Sequence, residues 1–327
     1  MQPHDTDAAV GRLMRFLAVE GVTGREAAIG KELAAALRET GVPAKSIAFD
    51  DANTRIPIPT EIGNLIAHVP GRGAMASSAP LLFMTHMDTV PLCAGAKPRL
   101  QGKKIVNMAA TALGGDNRAG CAILVTLAAE LQRQKLDHPP LALVFCVREE
   151  SGLWGARYID VERVGPVAMG FNCDGKTPSD VVVGAVGAQY WTADIHGRAS
   201  HAGVAPERGI SSTIILAEAL TRVRGGGWFG RVVKGDKTGT SNIGPVGGAA
   251  GGPAGDATNV VTDFVRAQGE CRSHDARFSK AITAAYKAAF AAAAVSVSNS
   301  EGRTGKVKFT SVTQYYPFRV KDGAPVV

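Results

Sequence analysis

Residues 81–91 read "LLFMTHMDTVP", an apolar run that ends in a histidine and an aspartate separated by one residue. A short, nearly continuous apolar stretch bounded by turn signals reads as a buried strand, and Pro80 to Met84 fits that pattern. The polar pair, His86 and Asp88, stands where such a strand surfaces. In an open α/β sheet, ligands bind beyond the carboxyl ends of the strands, where the connecting loops splay apart. The pair is therefore in position to face a site. Taken by itself it reads more readily as a hydrogen-bonded loop histidine followed by turn chemistry, and the rest of the chain has to decide.

Working outward, "NLIAHV" (residues 64–69), "LALVFCV" (141–147) and "VAMGFNC" (167–173) read as further apolar strands. "CAILVTLAAELQRQ" (121–134) carries Leu124, Leu127, Ala128 and Leu131 at the i, i+3, i+4, i+7 spacing of an amphipathic helix. Thr23 and Glu26 have the spacing of a capping box, which predicts a helix with Ile29, Leu33 and Leu37 on its apolar side and Gly41 as its stop. Apolar strands alternating with amphipathic helices imply an α/β fold with a mostly parallel sheet flanked by helices. After about Gly187 the texture changes. "AQYWTADIHG" alternates as a strand, followed by a helix near "SSTIILAEALTRV", a strand around "NVVTDFVRAQGE", a helix over "FSKAITAAYKAAFAAAA" and a strand at "KVKFTSVTQYY". This is a separate α+β layer. The Gly-rich "GPVGGAAGGPAGD" (244–256) lacks the spacing of a phosphate-binding loop and reads as flexible surface loop.

With 327 residues, the length suggests about two domains, and 45% hydrophobic residues are ordinary for a globular chain with a sizeable core. The polar, acidic start "MQPHDTDAAV" is unlike a signal peptide, and no apolar run is long enough for a bilayer, so a cytoplasmic protein without membrane contact is expected. Five cysteines with no CxxC pair read as reduced thiols. The net charge of +7 is spread along the chain, with no basic run interleaved with aromatics, so it reads as a solvated basic surface and no nucleic-acid partner is expected.

The ends of the apolar strands collect reactive groups. His86 and Asp88 follow one; "LGGDNRAG" places Asp116 just before a helix; "VFCVREESG" delivers Glu149 and Glu150; "FNCDG" delivers Asp174. Five carboxylates and an imidazole at one sheet edge need a counter-charge, because like charges at close range raise one another's pKa. A pair of divalent metal ions supplies it. Imidazole with carboxylates suits Zn²⁺, with Co²⁺ or Mn²⁺ as substitutes. In a two-metal site one carboxylate bridges the ions and a water between them is the nucleophile. Asp116 is the natural bridge. Of the adjacent glutamates, one should bind metal and the other take the proton from the water.

The segments "THMDTVP", "GGDNRAG", "REESGLWGA", "NCDG", "GRASHAGVAPERG" and "ECRSHD" together resemble, over nearly the whole chain, the peptidase T (tripeptide aminopeptidase) branch of the two-zinc exopeptidases, which includes relatives such as aminoacylases and succinyl-diaminopimelate desuccinylase. The resemblance implies a zinc-exopeptidase-like catalytic domain over 1–186, an inserted α+β lid or dimerisation domain over 187–317, and a return to the catalytic domain at 318–327. It implies that His86 and Asp174 hold one metal and Glu150 the other, that Asp116 bridges them, that Glu149 is the general base, and that Asp88 orients His86. In the lid, His201 would help polarise the scissile carbonyl, with Asn259 and Arg272 binding polar groups of a short peptide. The expected activity is hydrolysis of the N-terminal peptide bond of short peptides. Hydrolysis of dipeptides or N-acyl amino acids, or an inactive metal- or peptide-binding relative, are the other readings, and the lid leaves a homodimer open.

One departure bears on the metals. The family pattern includes a last histidine ligand after the lid, whereas the last histidine here is His274. The expectation is either a chain truncated at its C-terminal end or a lineage that has lost this ligand, with a second metal site that is weak or empty because only Asp116 and Glu150 remain to it.

Overall fold

The computed structural model describes residues 3–175, 177–255 and 257–327, so Asp256, at the end of the Gly-rich stretch, lies outside the described residues. The chain divides into two compact units, one up to Asp180 and one from Val181 to Pro325.

In the first unit the strands are β1 (Ile47–Phe49), β2 (Leu65–Val69), β3 (Leu81–His86), β4 (Pro98–Gln101), β5 (Lys104–Asn107), β6 (Leu141–Cys146) and β7 (Met169–Asn172); the helices are α1 (Thr6–Leu17), α2 (Ala27–Glu39), α3 (Ala52–Arg55), α4 (Gly115–Arg133), α5 (Trp154–Arg157) and α6 (Val161–Val164). Five strands form one sheet in the order β1-β2-β6-β3-β7. β6, β3 and β7 run parallel, and β2 alone is reversed. Every residue of β6 is buried, as its unbroken apolar run requires. Its alternate side chains serve two cores. Leu141, Leu143 and Phe145 join α1, α2 and α4 through Phe16, Leu33, Leu37, Leu124 and Ala128, while Val144 and Cys146 pack with Ile66, Leu82, Met84 and Val164 on the other face. β4 and β5 make a separate hairpin.

The second unit contains β8 (Gly184–Ala185), β9 (Gly187–His196), α7 (Ser212–Gly225), β10 (Gly230–Lys234), β11 (Lys237–Gly247), β12 (Phe264–Ser273), α8 (Ala276–Ser296), β13 (Lys306–Tyr315) and β14 (Phe318–Arg319). Its five-stranded sheet, ordered β10-β11-β12-β9-β13, is antiparallel throughout, and β14 pairs with β8. Trp191 on β9 anchors the core, with ring centroids 4.9 Å from Tyr286, 5.7 Å from Phe290 and 5.5 Å from Phe309. Among the described residues no helix is long and apolar enough to cross a membrane.

Two local expectations are corrected. The helix after "VTG" begins at Ala27, and neither Thr23 nor Glu26 caps it: Thr23 Oγ1 meets Ser151 Oγ at 3.0 Å, Glu26 turns into the interior, and the Ala27 amide donates to Glu61 at 3.3 Å instead. The Gly-rich stretch does not begin as loop, because Gly244 to Gly247 complete β11 and pair with β12 at Val246 and Gly247.

Candidate metal centre

The middle strand of a parallel triplet decides the geometry. β3 lies between β6 and β7, with His86 opposite Cys146 and Met84 opposite Asn172. Neighbouring strands are about 4.8 Å apart, so groups just beyond their carboxyl ends converge on the end of the central one. Glu149 and Glu150 follow β6, Asp174 follows β7, and Asp116 sits in the first turn of α4, where Gly114 in a left-handed conformation (φ 83°) precedes the helix. α4 approaches the strands closely enough that a Cβ at Gly120 would collide with Thr85 Oγ1 and lie 2.6 Å from the carbonyl oxygen of Cys173. Asn117 ties the same helix end to β7, its Nδ2 donating to that carbonyl at 2.6 Å.

His86 is buried, with Nδ1 3.1 Å from the Asp88 carbonyl oxygen and 3.3 Å from Asp88 Oδ1. With that nitrogen occupied, Nε2 faces the cluster: it lies 3.1 Å from Asp116 Oδ1, 3.8 Å from Glu149 Oε2 and 3.9 Å from Asp174 Oδ1. Ligand atoms of His86, Asp116 and Asp174 all fall within 4.8 Å of one another, and so do those of His86, Glu149 and Glu150. Asp88, fully buried, also accepts the Glu149 amide at 2.9 Å and the Glu150 amide at 3.2 Å. It therefore bridges the histidine and the glutamate turn.

The electrostatics of the cluster suit a cation. Burial alone would lower the His86 pKa, but the hydrogen bond and charge of Asp88, with Glu149 and Asp174, raise it to about 9. Burial, opposed by His86 and reinforced by Asp174 and Glu150, pushes Glu149 up to about 7. Glu150 and Asp174 are raised too, chiefly by burial. Buried carboxylates whose pKa is raised are stabilised as anions by a divalent ion, and one imidazole with carboxylates is a zinc-type donor set. The residues fit such an ion.

His201, Asn259 and Arg272 belong to the second unit. His201 is exposed and its Nδ1 accepts from the Gly203 amide at 3.1 Å; the Ala202 amide donates to the Asn259 carbonyl at 2.8 Å, so these two predicted residues are neighbours. Arg272, on β12, donates to Glu270 at 2.9 Å, and its buried Nε has no hydrogen-bond partner among the described residues.

Two charged residues beside the site have partners that their place in the sequence does not show. Arg118, buried, donates to the carbonyls of Met87, Val19 (3.2 Å) and Gly21 (3.4 Å), tying the chain between His86 and Asp88 to the N-terminal loop. Glu26, fully buried, accepts the amides of Gly24 and Arg148.

Comparison with known proteins follows this geometry. Residues 99–180 match the M42 glutamyl aminopeptidase family and residues 183–298 the peptidase dimerisation domain. The Bacillus subtilis protein YqjE is 30% identical over 96% of this chain and 77% of its own length. The crystal structure of aminopeptidase PepT from Bacillus cereus is 30% identical, with a TM-score of 0.81 over 99% of this chain and 80% of that one. The chain belongs to the peptidase T-like exopeptidase family. A tripeptidase from Staphylococcus aureus is 27% identical, with a TM-score of 0.84 over 99% of this chain and 79% of that one.

Proposed function

We propose that the chain is a metal-dependent aminopeptidase that removes the N-terminal residue from short peptides, tripeptides foremost. The observation that carries this reading is the convergence of His86, Asp116, Glu149, Glu150 and Asp174 at the carboxyl ends of β6, β3 and β7. The solved relatives at 27 and 30% identity, a tripeptidase and an aminopeptidase, support the substrate class.

In this reading His86, Asp116 and Asp174 would hold one ion, and Asp116 with Glu150 would offer only two ligands to a second, weaker site, zinc being the ion the donor set suits. The ions, when bound, supply a Lewis acid for the scissile carbonyl and lower the pKa of water. Asp88 fixes the His86 tautomer, leaving Nε2 as the ligating atom. Glu149, half-buried beside the cluster, takes the proton from the attacking water as its oxygen bonds to the carbonyl carbon, and returns it to the nitrogen as the C–N bond breaks. The products are a free amino acid and a shortened peptide. His201 is assigned to the carbonyl, and Asn259 and Arg272 to other polar groups of the peptide. The dimerisation-domain match over 183–298 supports a homodimer.

The test is incubation of the purified chain with tri-alanine and with its N-acetylated form, with and without Zn²⁺, Co²⁺ or Mn²⁺. The expected outcome is metal-dependent release of alanine and dialanine from the free peptide only. Cleavage of the acetylated substrate, or turnover that survives exhaustive chelation, would count against the reading.

A further inference from the structure

The N-terminal loop closes on the glutamate turn through a set of contacts made outside the metal cluster itself. The Thr23 amide donates to the Thr89 carbonyl at 2.8 Å and the Thr89 amide to the Gly21 carbonyl at 3.1 Å, fixing the loop to the chain just beyond Asp88. Gly24 (φ 86°) leaves room for the Arg148 guanidinium, which a Cβ there would strike. That guanidinium is spent on the far side of the loop, with Nε donating to Thr60 Oγ1 at 2.7 Å and Nη2 to the Pro59 carbonyl.

At the centre lies Glu26, none of whose surface reaches solvent. Its Oε1 accepts the Gly24 amide at 2.7 Å and the Arg148 amide at 3.1 Å. The next two amides, of Glu149 and Glu150, go to the two oxygens of Asp88 at 2.9 and 3.2 Å. Two buried carboxylates thus hold three successive amides of one turn, and Arg148 within it has a left-handed backbone (φ 49°). A residue other than glycine adopts that conformation only where its surroundings impose it.

We propose that Glu26 is a positioning residue for the Glu149–Glu150 pair: by holding the Arg148 amide beside the two that Asp88 holds, it sets the direction in which both glutamate side chains leave the backbone. Asp88 cannot do this alone, since both of its oxygens are already engaged on Glu149 and Glu150 and one also faces His86. Glu26 Oε2 has no hydrogen-bond partner among the described residues, so the contact that matters is the one made by Oε1. Burial, opposed by the Gly24 amide and reinforced by the charge of Asp88, pushes the Glu26 carboxyl up to about 7. A neutral side chain with the same acceptor is therefore tolerated there.

The experiment compares E26A and E26Q by amide hydrogen exchange and by kinetics. Exchange is read on the metal-free protein and stands independently of any activity; the kinetic arm rests on the aminopeptidase reading. In E26A the Arg148 amide should exchange at least about tenfold faster while the amides of β6 keep their protection, because a lost bond to a carboxylate opens the turn locally. Compared at saturating metal, kcat on tri-alanine should fall about 10–100-fold and KM should stay within about twofold, as for a partner that orients rather than touches. E26Q, which keeps the accepting oxygen, should restore both. Unchanged Arg148 exchange in E26A, or a loss in E26Q as large as in E26A, overturns the proposal. Should E26A fail to fold, E26D, whose carboxylate is drawn back by one methylene, must show the same faster exchange, and protection equal to wild type overturns the proposal. A wild-type protein without peptidase activity would sink the functional reading and leave the exchange arm to decide the role of Glu26.

Discussion

Glu149 and Glu150 are adjacent in the chain, but their backbone amides go to different oxygens of Asp88 and their side chains have different surroundings. Glu149 Oε2 approaches His86 Nε2 to 3.8 Å, and burial lifts its carboxyl to about 7, the range in which a base exchanges protons with water near neutrality. Replacing it with alanine should lower kcat by roughly 10²–10⁴ and leave the bound metal in place, whereas Glu150→Ala should reduce the metal content measured by atomic emission after gel filtration. Equal metal loss in both variants would mean that the assignment of the two roles is wrong. Asp88→Asn tests the orienting contact: activity or metal affinity should fall about 10–100-fold with the fold intact by circular dichroism, and an unchanged variant would make Asp88 a turn residue.

At the scale of the elements, the site depends on how closely α4 can approach β3 and β7. Gly120 makes that approach possible, since any Cβ would press on Thr85 and on the Cys173 backbone, which cannot swing aside as a flexible side chain would. Gly120→Ala should therefore destabilise the first unit by about 1–3 kcal/mol, the usual cost of overpacking, seen as a lower urea midpoint with an unchanged slope. A midpoint equal to wild type would mean the helix shifts freely. The same elements explain what the sequence reveals. β6 announces itself as an apolar run because it is buried throughout, β3 and β7 do so although β3 is largely half-buried and β7 is half exposed, and each reactive residue of the cluster ends or follows one of them or opens α4. The hairpin β10–β11 does not, because on β10 only Val232 is buried and the rest is polar or half-exposed. Glu26 was legible only as a cap: its spacing from Thr23 is that of a capping box, yet its partner is the amide of a residue 122 positions away. Arg118 hides for the same reason, its partners being backbone carbonyls that carry no residue signature.

For the whole molecule, the decisive feature is that the entire His86 cluster lies in one of two units that have separate cores. A ligand that binds only the folded form stabilises what it binds, by about 2.7 kcal/mol when its concentration is a hundred times Kd. A domain of this size gains about 2–4 °C in Tm per kcal/mol, so saturating Zn²⁺ should raise the melting temperature of the first unit by roughly 5–10 °C. The second unit, held by Trp191, Tyr286, Phe290 and their neighbours, gains nothing directly. Calorimetry with zinc or with chelator, combined with hydrogen exchange of β6 in the first unit and of β9 and β12 in the second, separates the two. Protection should rise on β6 and stay constant on β9 and β12, and the His86→Ala variant should abolish the rise. An equal gain in both units would mean that they unfold as one cooperative body, and no gain in either would mean that the carboxylates at the end of β3 bind no zinc.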